Sequence, residues 1–169
     1  MNYNRVKNKN IPKIFVIISW LGLLSWMGLI FYLSSQPGEV SGDLSQGITA
    51  MLLGYLERLL PMFDIDMQAL HYFVRKNAHF IAYLILGLLS MNAVGRSGWG
   101  GQKRLFAAIV ICVLYAGSDE FHQLFVPGRS GQVSDVLIDS LGSATGILLY
   151  SAISKSYRFL LESNKRSDV

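Results

Sequence analysis

Three short stretches of the 169-residue chain carry side chains that can do chemistry at helical spacing. Lys76, His79, Tyr83 and Gly87 recur at i, i+3, i+7 and i+11 and so share one face of a helix. Asp119, His122 and Gln123 share a second face, with Glu120 flanking it, and Asp135, Asp139, Gly142 and Gly146 share a third. A tight turn, VPGRSGQ, joins the last two stretches and carries Arg129. The residue types allow two kinds of chemistry. His122 is a candidate general base oriented by Asp119 or Glu120, while Lys76 and Arg129 can hold a phosphate or a developing anion. The same carboxylates and imidazoles can instead hold a divalent metal that activates water. Asp119, Glu120 and His122 are thus the catalytic candidates. Lys76, His79, Gln123, Arg129, Asp135 and Asp139 are the binding candidates. No Ser or Cys stands in a recognisable nucleophile motif; Ser130 and Ser134 are only nearby.

The elements that must position these groups are membrane spans. Hydrophobic residues make up 51% of the chain and charged residues 15%, against about 25% charged in a soluble domain. That is too little charge to coat a soluble globule, and the abundance of Leu, Ile, Val and Phe excludes disorder. Cys112 is the single cysteine, so there is no intrachain disulfide framework. From Ile14 to Leu33 the chain runs 20 residues without a charge, enough to cross about 30 Å of hydrocarbon. A cleaved signal peptide fits less well, because its apolar region spans about 7–15 residues and ends at a small-residue site that SSQPGEVSG lacks. Further spans are expected at about 77–94, 105–125 and 133–153, forming one four-helix domain over residues 14–153. The acids in the third and fourth spans would cost roughly 2.5–3.5 kcal/mol each at the bilayer centre. Those turns therefore belong near an interface or around a shared polar interior.

The net charge of +4 would point to nucleic acid in a soluble protein; here it sorts by membrane side, and no nucleic-acid partner is expected. The segment 1–13, the loop between spans two and three, and the tail 154–169 hold 11 of the 15 basic residues. Those segments should be cytoplasmic, with both termini inside. The other side holds 9 of the 11 acids. Span two starts outside, span three ends outside and span four starts outside. All the polar candidates therefore converge at one depth near the outer leaflet, with Lys76 expected beside Asp119 and Glu120.

The outer segment 34–76 should contain an amphipathic helix over residues 43–60. Leu44, Ile48, Met51, Leu52, Tyr55 and Leu59 form its apolar stripe, Asp43 and Gln46 its capping box, and Pro61 its end. It lies in the outer interface or packs on the bundle. A further helix should start near Asp66 and run into span two. The loop GRSGWGGQKR reads as plain connection and the tail SNKRSDV as frayed.

RKNAHFIAYLILG (75–87), DEFHQLFVPGRSG (119–131) and SDVLIDSLGSATG (134–146) together resemble the VanZ-like family of small membrane proteins, and SSQPG after the first span fits as well. The resemblance covers about residues 14–150. It implies a link to low-level resistance to teicoplanin, a lipid-bearing glycopeptide that acts outside the membrane, but no settled reaction. Two positions depart from the family pattern: Ala82 stands where many members carry an acid, and Asp139 where many carry Asn. The second departure marks position 139 as a hydrogen-bonding position before a metal ligand.

Three functions are compatible with these residues. One is a binding protein in the bacterial cell membrane whose outward-facing site recognises an amphiphile, such as a lipoglycopeptide or a lipid-linked cell-wall precursor. Another is a membrane hydrolase or transferase acting on a lipid head group at the outer leaflet. A transporter ranks last, because polar groups confined to one end make no path through the membrane.

Overall fold

The computed structural model describes residues 12–59 and 66–167. Every regular element among them is an α-helix: α1 (Lys13–Ser34), α2 (Gly38–Leu59), α3 (Met67–Arg96), α4 (Gly101–Gln123) and α5 (Val133–Ser167). α1, α3, α4 and the Val133–Leu161 part of α5 are long and apolar enough to cross a membrane. Their outward faces carry Ile17, Leu21, Phe106, Leu114, Leu141 and Leu148, each substantially exposed. In water such a surface would cost about 25 cal/mol per Å²; against lipid tails it costs nothing. The protein is a multi-pass membrane protein in contact with lipid.

Local sequence explains the boundaries. Asp66 caps α3, its carboxylate accepting from the Gln68 amide at 2.8 Å, as the sequence leads one to expect. Gly98 and Gly101, at φ +87° and +56°, supply the left-handed turn between α3 and α4. Two expectations need correction. α2 starts at Gly38, not at residue 43, so Asp43 lies within the helix and forms no capping box with Gln46. Pro37 sets the start, its fixed φ suiting a first helical turn, and its carbonyl accepts from Ser41. Pro61 lies outside the described residues. The tail is not frayed up to Ser167: α5 continues there, and no Gly or Pro interrupts it after Gly146.

α3 is the central helix and packs on α1, α2, α4 and α5. The register of its contacts gives the topology. Trp26 donates to the Ala82 carbonyl and Asn92 donates to Ser19, so α1 runs antiparallel to α3. Tyr83 stacks near Tyr115 and Cys112 reaches Ser90, so α4 is antiparallel too. On α5 the order is preserved: Lys76 meets Asp135, His79 meets Asp139, and a Cβ on Gly142 or Gly146 would strike the carbonyls of Phe80 or Leu84. α3 and α5 are therefore parallel, and Gly87 closes the same seam against the Ser143 carbonyl. Small residues there let backbones touch, which is how helices associate without a hydrophobic driving force in lipid. This alternation brings the ends of α1 and α4 to the same level as the starts of α3 and α5.

Candidate functional site

At that shared end two family-like motifs interlock. The Gly38 amide donates to the Pro127 carbonyl at 3.0 Å, and a Cβ on Gly38 would collide with the Gly128 carbonyl. Gly128 itself has φ +72°, which a side chain would strain. Arg129 then donates to the carbonyls of Gln36 at 3.2 Å and Leu33 at 3.0 Å. These are carbonyls at and just beyond the C-terminus of α1, where no intrahelical partner exists and a cation suits the helix dipole. Burial lowers the Arg129 pKa and the Arg75 charge adds to it, while Asp119 and Glu120 pull it back up. The guanidinium stays protonated.

Behind this joint lie the charged groups. Lys76 pairs with Asp135, not with Asp119 or Glu120 as their neighbouring helix ends had suggested. The parallel packing of α3 on α5 sets that choice. His79 Nδ1 stands 3.5 Å from Asp139 Oδ1. Glu120 accepts from the Gln132 amide at 2.9 Å and from Gln123 Nε2 at 3.2 Å, so its carboxylate is anchored to the first residues of α5. Asp119, Glu120, Gln123, Asp135 and Asp139 are all buried. Among the described residues, neither the oxygens of Asp119 and Asp139 nor the Tyr83 hydroxyl meets hydrogen-bond geometry, although Asp119 lies beside Tyr83 and Ser34 and Asp139 beside His79. Position 139 faces the His79 imidazole, its polar neighbour across the α3–α5 contact.

The structure separates His122 from the other candidates. Its ring stacks on Phe31 of α1, with centroids 4.5 Å apart, and its buried Nε2 has no hydrogen-bond partner. Among the described residues no carboxylate pairs with it. The histidine that meets a carboxylate is His79, and among the described residues His79, Glu120 and Asp139 offer ligand atoms that all lie within 4.8 Å of one another.

His79 also borders a cavity of about 330 Å³ between α1, α2, α3, α4 and the Arg129 turn. Ile30, Leu33, Val40, Ile48 and Val74 form its apolar wall; Ser34, Arg75, Tyr83, Asp119 and Arg129 supply the polar groups. The sequence reading missed Arg75 here, although its spacing of four from His79 puts both on one helical face. α2 packs on the bundle, one of its two expected placements, and its Ser45 hydroxyl lies 2.7 Å from His71 Nε2 on α3. No period in the sequence announces that pair.

A family model described as VanZ/LLP1 matches residues 19–154. The chain belongs to the VanZ/LLP1 family. The matched region takes in most of the first and last spans, all of the middle two and every charged group of the site, so the VanZ-like resemblance of the motifs holds for the domain as a whole. No curated protein and no solved structure matches the chain.

Proposed function

We propose that this VanZ-family protein binds an amphiphilic cell-envelope molecule with an anionic head group, at the outer face of a bacterial membrane. One observation carries the reading: a single cavity joins an aliphatic wall to the cations Arg75 and Arg129 and to His79. An apolar tail against Ile30, Leu33 and Val74 and an anionic head near the two guanidiniums would satisfy both halves. α2 supports the same reading. It turns Ser45 toward α3 while Ile48, Met51, Tyr55 and Leu59 remain exposed. That arrangement is inverted for a water-facing helix and suits one lying in the membrane interface. The excess of basic residues at the opposite end of the bundle supports an orientation with that end, and both termini, in the cytoplasm. Lipoglycopeptides and lipid-linked cell-wall precursors are the ligand classes that the family's link to teicoplanin resistance brings forward.

Reporter fusions at Val169 and after Leu59 should report opposite sides; agreement between them would remove the outward-facing site. Purified protein in lipid nanodiscs should bind a phosphorylated polyprenyl lipid saturably and the same tail as a neutral alcohol at least about tenfold more weakly, since hydrogen bonds to charged groups contribute about 1.5–3 kcal/mol. Equal binding of the two lipids overturns the reading. The enzyme alternative draws on the His79–Asp139 contact beside the cavity. Release of the head group during the same assay would favour it, and saturable binding without turnover would favour the binding protein.

A further inference from the structure

We propose that His79, Glu120 and Asp139 form a divalent-cation site where α3, α4 and α5 meet. The inference goes beyond the amphiphile reading and is tested with metal alone. One ligand atom from each residue lies within 4.8 Å of the other two, and His79 Nδ1 is 3.5 Å from Asp139 Oδ1. Two ligands of a tetrahedral cation, each about 2.1 Å from it, stand about 3.4 Å apart. That edge already has a metal's spacing, and the widest would need to close by at most about 1.4 Å, within the reach of a carboxylate rotation.

Asp139 supplies the second observation. Its relative exposure is 0%, and among the described residues its carboxylate meets only the His79 ring, at 3.5 Å and outside hydrogen-bond geometry. Lys76, the nearest lysine along α3, is taken by Asp135. A buried carboxylate in that condition costs several kcal/mol unless it is paired or coordinates a metal. A dication between His79, Glu120 and Asp139 would pair it. Glu120 is held as a ligand should be, oriented by the Gln132 amide and by Gln123 Nε2; such outer partners fix a ligating carboxylate in place. The ligands stand on three helices, not on loops, and the glycine seam between α3 and α5 starts one turn below them. One imidazole and two carboxylates, without sulfur, suit Zn²⁺, Mn²⁺ or Fe²⁺.

The test uses the full-length, tag-free protein, purified in detergent, stripped with a chelator and titrated calorimetrically with Zn²⁺ and with Mn²⁺. The expected result is saturable uptake of about one equivalent of at least one cation, with a raised melting temperature. Asp139→Asn and Glu120→Gln should each weaken uptake about tenfold or more, while Asp43→Asn, on the exposed side of α2, should leave it unchanged. If a variant fails to fold, Co²⁺ added to the stripped wild type decides. A low-coordinate visible spectrum supports the site, and the six-coordinate aqueous spectrum overturns it. Absence of saturable uptake by the wild type, or unchanged affinity in both folded ligand variants, also overturns it.

Discussion

The two ends of the α3–α5 contact are built on opposite principles. Toward the middle of the bundle, Gly87, Gly142 and Gly146 bring backbone against backbone, with no side chain between. One turn away, the same pair of helices is joined by Lys76 with Asp135 and His79 with Asp139. The glycine end gains dispersion contacts from close approach and joins the two helices without an ion pair among the described residues. The charged end gives up that economy of packing, burying carboxylates whose oxygens in part have no partner. A helix pair selected for stability alone would continue the glycine seam. The contrast agrees with the proposed site at the charged end, with the seam as the clamp that holds its geometry.

Substitutions can break or sharpen this contrast, and the largest effect is expected in the seam. Gly142→Leu drives a side chain into the Phe80 carbonyl, where no rotamer relieves the clash. Folded protein in membranes should fall by more than about tenfold, consistent with overpacking costs of 1–3 kcal/mol or more, as read by size-exclusion chromatography of the extracted protein. Normal abundance would mean the seam is not the clamp. Next comes Lys76→Met, which leaves Asp135 buried and unpaired. The expected loss is about 2 kcal/mol, below the ~3–5 kcal/mol of a fully desolvated pair, because both side chains keep some exposure. The double variant Lys76→Met/Asp135→Asn should recover most of the melting temperature; failure to recover would deny the pairing. Arg129→Lys keeps the charge but cannot span both the Leu33 and Gln36 carbonyls in the same way. It should lower stability by about 1–2 kcal/mol, measured by thermal unfolding, with a modest loss of binding to an anionic amphiphile. The smallest change in abundance is expected at Asp119→Asn, because Asn keeps the size of the side chain and removes a buried charge. Binding or lipoglycopeptide response should nonetheless disappear. Full response at normal abundance would remove Asp119 from the site.

Much of this arrangement was legible in the chain. Spans of 20 or so apolar residues and the i, i+4, i+7, i+11 rows located the helices and their inward faces, since helical geometry ties spacing to direction. Topology then put Lys76, His79, Asp119, Glu120, Asp135 and Asp139 at one end. What spacing could not convey is which helices neighbour which. Lys76 was expected beside Asp119 because both mark helix ends, yet the parallel seam hands it to Asp135. His122 shares the inward-row spacing with Asp119, yet α1 lies close enough for Phe31 to cover its ring. The α2 boundary was misjudged for a more local reason: a capping-box pattern at Asp43 competed with Pro37, and the proline prevailed.

The Arg129 joint has a consequence for biosynthesis. The Leu33 and Gln36 carbonyls receive their donor from a residue 96 and 93 positions later in the chain. While the ribosome is still making α4, the elbow after α1 has neither its guanidinium nor the Pro127 carbonyl that receives the Gly38 amide. α2 therefore cannot take its final angle until the last hairpin has entered the membrane. Assembly of the outer end is a closing step, and a chain truncated before residue 127 should insert its first helices yet never set the elbow.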